Sequence, residues 1–65
     1  MKLIVNGNEL ETSARTLSEL FAGLGYEGDW YATAVNGEFV PGTEREATAL
    51  SDGDRVEILT PRQGG

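Results

Sequence analysis

The sequence predicts an α+β fold in two layers, with one helix lying on one side of a five-stranded mixed sheet. Three observations predict it. Asn6-Gly7 and Asn36-Gly37 each separate two short runs that read as strands. Asn-Gly is the strongest short hairpin signal, because a type I′ turn needs φ > 0 at both central positions. Between the hairpins, Leu17, Leu20, Phe21 and Leu24 fall at i, i+3, i+4 and i+7, the apolar stripe of an α-helix.

The elements follow in order. Lys2-Leu3-Ile4-Val5 opens strand one, spanning about 2–6, and strand two spans about 8–12. Leu10 lies between Glu9 and Glu11, which gives that strand one buried and one wet face. Thr16-Leu17-Ser18-Glu19 fits a capping box: Thr16 accepts from the Glu19 N–H, and the Glu19 side chain returns to the Thr16 N–H. Gly25 suits the left-handed position that ends helices. Gly23 weakens the last turn by up to about 1 kcal/mol relative to Ala, so fraying is expected there.

Tyr26 to Trp30 is a connection, Tyr31 to Val35 a third strand, and Glu38-Phe39-Val40 a short fourth, stopped by Pro41-Gly42. Pro is tolerated there if the strand lies at an edge. Thr43 to Leu50 is ambiguous; Glu44 to Ala47 can form one helical turn with Leu50 in the core. Ser51-Asp52-Gly53-Asp54 reads as a turn, because the spaced acids and closing Glu of a calcium loop are missing. Arg55 to Leu59 is the fifth strand. The first and fifth strands are the most continuously apolar, so they are expected side by side and parallel at the centre of the sheet.

Composition limits the chemistry. The chain has 65 residues, one small domain, and no Cys or His. Cys/His zinc sites and Ser-His or Cys-His catalysis are therefore excluded. Any general base near neutral pH would have to be a perturbed carboxylate or Lys2, a poor inventory for an enzyme. The net charge of −6, with only five scattered Lys and Arg, argues against nucleic acid as a direct partner. That acidity favours solubility and also suits a basic protein surface. No apolar stretch approaches a membrane span, and no basic-then-apolar start suggests a signal peptide, so a cytoplasmic location is expected.

Residues 1–59 form the expected domain and 60–65, Thr-Pro-Arg-Gln-Gly-Gly, a flexible tail. Six extended residues reach roughly 20 Å. Gly64 and Gly65 carry no side chains, so such an end can thread a narrow channel and offer its carboxylate to another protein. The plainer alternative is a frayed terminus.

Taken together, Ile4-Val5-Asn6-Gly7, Thr16-Leu17 with Leu20, Ala32 and Ala34 before Val35-Asn36-Gly37, Val40-Pro41, Leu50 through Ile58, and Pro61, Gln63 and Gly64-Gly65 resemble the ThiS family. These are the sulfur carrier proteins of thiamin biosynthesis, with a ubiquitin-like β-grasp fold. The resemblance covers essentially the whole chain and departs at Gly42, where many relatives carry Arg, and at Thr33, where an aliphatic residue is usual. It implies a carrier, not an enzyme, with no bound cofactor and a monomeric state when free. A ubiquitin-activating-like adenylyltransferase would use ATP to adenylate the Gly65 carboxylate. A cysteine desulfurase or another persulfide source would then yield a thiocarboxylate, which a thiazole synthase would consume. The free carboxylate is a poor electrophile; an acyl-adenylate loses the charge and gains a leaving group.

Gly64, Gln63 and Arg62 are the expected partner-channel residues, with Arg62 either paired to an acidic wall or simply solvated. Phe39 and Val40, or Trp30 and Tyr31, are candidates for an exposed apolar partner patch. Each can equally complete the small core, an outcome expected for Phe39 more than for Trp30. The competing readings are the small subunit of molybdopterin synthase, a ubiquitin-like protein modifier, and a plain interaction module.

Overall fold

The structure, a computed structural model, describes residues 1–28 and 30–60. Its elements are β1 (Lys2–Val5), β2 (Asn8–Glu11), α1 (Leu17–Gly23), β3 (Ala32–Val35), β4 (Glu38–Val40), a 3-10 helix (Gly42–Ala47) and β5 (Arg55–Leu59). The sheet order is β2-β1-β5-β3-β4. β1 and β5 are parallel, and every other neighbouring pair is antiparallel. The expected central parallel pair is therefore present, and β4, followed by Pro41, is an edge strand.

Both Asn-Gly turns adopt the backbone that their sequence demands. Asn6 and Asn36 have φ of 50° and 51°, and Gly7 and Gly37 have φ of 85° and 86°. The ambiguous stretch becomes a 3-10 helix with Leu50 in the core.

The helix starts and stops by side-chain and backbone chemistry. Thr16 Oγ1 accepts from the Glu19 N–H at 3.1 Å. The returning bond differs from the capping-box expectation: Glu19 Oε1 accepts from the Arg15 N–H at 2.8 Å. Thr16 itself stands opposite Ala49 in an isolated antiparallel bridge, flanked by bonds from Leu17 N–H to Thr48 O and from Leu50 N–H to Arg15 O. At the other end, Gly25 (φ 89°) donates to Ala22 O and Tyr26 donates to Phe21 O, the paired bonds of a Schellman motif.

Leu17, Leu20 and Phe21 of α1 meet Leu3, Val5, Val56, Ile58, Val40 and Leu50 in one buried cluster. Phe21 stacks on Tyr26 at 5.3 Å between ring centroids and meets Tyr31 edge-on at 5.5 Å. Thr33 is 1% exposed, an unusual depth for a hydroxyl. Its Oγ1 donates to Val40 O at 2.8 Å and accepts from Arg45 Nε at 3.0 Å. Arg45, itself 7% exposed, also donates through Nη2 to Tyr31 O and lies 4.4 Å above the Phe21 ring. The departure at Thr33 is thus matched by a partner that uses its oxygen; a buried hydroxyl without one would cost about 1–3 kcal/mol.

Candidate functional site

Strand alternation divides the sheet into a covered and a bare face. Along β5, Val56 and Ile58 are buried while Arg55, Glu57 and Leu59 are exposed. Cross-strand register places Phe39 opposite Ala34, Ala34 opposite Glu57, and Ala32 opposite Leu59. Residues directly opposite one another share a face. Phe39, Ala34, Ala32 and Leu59 therefore form an apolar strip on the bare face, running from the edge strand to the end of the central strand. Phe39 is 69% and Leu59 60% exposed, because the alanines between them are too short to cover either ring or branch.

The remaining half of that face is charged. Lys2 lies opposite Glu11, and Ile4 lies opposite both Glu9 and Arg55. Lys2 Nζ approaches Glu9 Oε1 at 3.8 Å, a surface pair of little energetic weight.

The expected site residues fare differently. Trp30 is 69% exposed, and its indole reaches back over Gly28 (φ 96°), where an added Cβ would lie 3.1 Å from the ring. Phe39 does not complete the core as expected; its register with Ala34 turns it outward. Val40 must be withdrawn from the exposed patch. One residue further along β4, it points inward and joins the core cluster. Tyr31 is half-buried in the aromatic group with Phe21 and Tyr26. Arg62, Gln63, Gly64 and Gly65 lie outside the described residues. Leu59 escaped the sequence reading as a surface residue, although the alternation Val56, Ile58 against Glu57, Leu59 was there to assign it. Among the described residues, no cluster of acids is placed to hold a metal ion and no helix is long and apolar enough to cross a membrane.

A five-stranded mixed sheet on one helix, with its first and last strands parallel at the centre, is a ubiquitin-like β-grasp fold. Its solved counterparts include the crystal structure of a thiamine biosynthesis protein (ThiS) from Geobacter metallireducens, with a TM-score of 0.84, 30% sequence identity and all of both chains covered. The solution structure of a thiamine biosynthesis protein from the same organism matches with a TM-score of 0.81 at 30% identity, covering 100% of this chain and 88% of that one. A protein of Paramagnetospirillum magneticum (strain ATCC 700264 / AMB-1) named thiazole synthase is 38% identical over 66 residues. That match takes in 100% of this chain but only 20% of the relative's length. The ThiS family model matches residues 3–65, and the chain belongs to the ThiS family.

Proposed function

We propose that the protein is a sulfur carrier for thiazole formation in thiamin biosynthesis, with the carboxyl group of Gly65 as the point of attachment. The observation that carries this reading is the family match, which runs the length of the fold and through residues 60–65 to Gly65. The fold supports it, since those residues follow directly from β5, the central strand of the sheet. An adenylyltransferase would join the Gly65 carboxylate to AMP, releasing pyrophosphate from ATP. Sulfide would then attack the carbonyl carbon, break the C–O bond to AMP and leave a thiocarboxylate. A persulfide from a cysteine desulfurase would attack in the same way to give an acyl disulfide, from which a thiol would release the thiocarboxylate as it is oxidised to a disulfide. A thiazole synthase would take the sulfur and return the carboxylate. The relative named thiazole synthase supports that partner, because it carries a stretch like this chain.

Such a protein is a recycled co-substrate, so the catalytic groups belong to its partners. The apolar strip of Phe39, Ala34, Ala32 and Leu59, at the root of residues 60–65, is the surface on which those partners would seat. Intact-mass spectrometry tests the central step. Incubation with ATP, an adenylyltransferase of this family's pathway and sulfide should add the mass of one oxygen-for-sulfur exchange, lost again in a variant lacking Gly64 and Gly65. An unchanged mass under conditions that load a known carrier would refute the proposal.

A further inference from the structure

β5 outruns β1. The two strands are in register at Ile4↔Arg55 and Val5↔Val56, after which β1 ends while β5 continues to Leu59. On its other side β5 is paired with β3 as far as Ala32↔Leu59. On the β1 side, the main chain turns off into the first hairpin at Asn6, and the Asn6 side chain continues the row. Its Oδ1 accepts from the Ile58 N–H at 2.9 Å and its Nδ2 donates to Ile58 O at 3.3 Å. The Asn6 backbone N–H donates to Val56 O at 2.9 Å. One carboxamide thus supplies the acceptor and the donor that two residues of a longer parallel β1 would have supplied.

The second hairpin repeats the device at the opposite end of the same strand. The Asn36 N–H donates to Arg55 O at 2.7 Å, and Asn36 Oδ1 accepts from the Arg55 N–H at 3.0 Å. Its Nδ2 donates to Asp54 Oδ1 at 3.0 Å. Each Asn therefore has two duties: it takes the φ > 0 position of its turn and it clamps β5 through its side chain. Asn36 holds the start of the strand and Asn6 holds the end.

We propose that Asn6 is a positioning residue, fixing the point at which residue 60 leaves the sheet and hence where Gly65 is presented to an activating enzyme. The proposal rests on the sulfur-carrier reading above. Without the Asn6 carboxamide, Ile58 has no partner among the described residues for its N–H and C=O on the β1 side, and the last residues of β5 fray. An activating enzyme must then select one exit direction from several. That penalty falls on productive docking of the carrier and leaves the chemistry at Gly65 untouched once it is docked, so KM for the carrier rises while kcat holds.

The two clamps provide their own control. Asn6→Gly and Asn36→Gly each keep a residue at ease with φ > 0, so both turns persist while one clamp is lost. Amide hydrogen exchange by NMR reads the strand, and loading kinetics with sulfide and varied carrier concentration read the presentation. In Asn6→Gly, exchange at Ile58 should quicken by about tenfold or more and KM should rise by about three- to tenfold at unchanged kcat. Asn36→Gly should quicken exchange at Arg55 and leave both loading parameters at parental values. Asn6→Asp, which keeps the acceptor and loses the donor, should show faster Ile58 exchange and a raised KM in the same direction. Unchanged Ile58 exchange in Asn6→Gly overturns the clamp, and an equal rise of KM in Asn36→Gly reduces it to general destabilisation. A parent protein that is never loaded refutes the carrier reading instead, and the exchange rates then still decide whether Asn6 fixes the strand end.

Discussion

The covered and bare faces of the sheet come from the same strands, yet they serve opposite ends. On the covered face, Leu3, Val5, Thr33, Val56 and Ile58 are buried, and α1 closes over them with Leu17, Leu20 and Phe21. On the bare face, the positions one residue away hold Ile4, Ala32, Ala34, Glu57 and Leu59, with Phe39 alongside. A small domain needs all its apolar residues for the core, because it buries only about 60% of its unfolded surface. This one nevertheless leaves a Phe and a Leu out on the bare face. Apolar side chains placed there contribute little to folding, which is the ground for the proposal that the strip seats other proteins.

The largest expected effect comes from breaking the covered face. Leu20 is 2% exposed in the middle of α1. Leu20→Ala keeps helix propensity, since Ala is the best helix former, so its cost isolates packing. A loss of about 2–5 kcal/mol is expected, the usual cost of truncating a buried Leu. Urea denaturation should show a lower midpoint at an unchanged slope. A change under about 1 kcal/mol would mean that the two layers are loosely packed and the contrast between the faces is false.

A smaller loss is expected from the polar group within that face. Arg45 spans three elements through Thr33 Oγ1, Tyr31 O and the Phe21 ring. Arg45→Met keeps much of the stem and removes the guanidinium. Thr33 keeps its bond to Val40 O, so no hydroxyl is stranded, and a cost of about 1–2 kcal/mol follows from the lost bonds. Thr33→Val with Arg45 intact should be worse than the double variant, because it leaves the buried Nε without an acceptor. A double-mutant cycle on denaturation free energies measures that coupling.

Legibility in the sequence followed the range of the physics. The hairpins and the helix stripe depend on local turn chemistry and periodicity, and Asn6-Gly7, Asn36-Gly37 and Leu17, Leu20 and Phe21 declare them. Leu24, the fourth position of the stripe, nevertheless falls just past the helix and is exposed. The central β1–β5 pair was legible from the apolar runs in both strands. The destinations of side chains that bond across the fold were not legible. Nothing near Arg45 in the chain says that Thr33, 12 residues away, will accept its Nε. Nothing near Asn6 says that its carboxamide will meet Ile58, 52 residues on. Phe39 was misread because a short strand ending in Phe-Val has two possible alternations. Only the register with β3 decides that Val40 goes in and Phe39 goes out.

The smallest effect on stability, and the sharpest test of the contrast, belongs to the bare face. Phe39→Ser and Leu59→Ser remove side chains that are already mostly in water, so the free energy of unfolding should change by no more than about 0.5 kcal/mol. Loading by the activating enzyme should suffer in the same variants, with KM for the carrier raised about tenfold or more if either residue anchors the docked complex. Glu57→Gln sits beside the strip and removes only a charge, so its effect should appear in the salt dependence of association and not at high ionic strength. Stability lost without any change in KM would assign Phe39 to the fold after all. A raised KM on a fully stable domain would show that the sheet keeps one face for itself and lends the other to its partners.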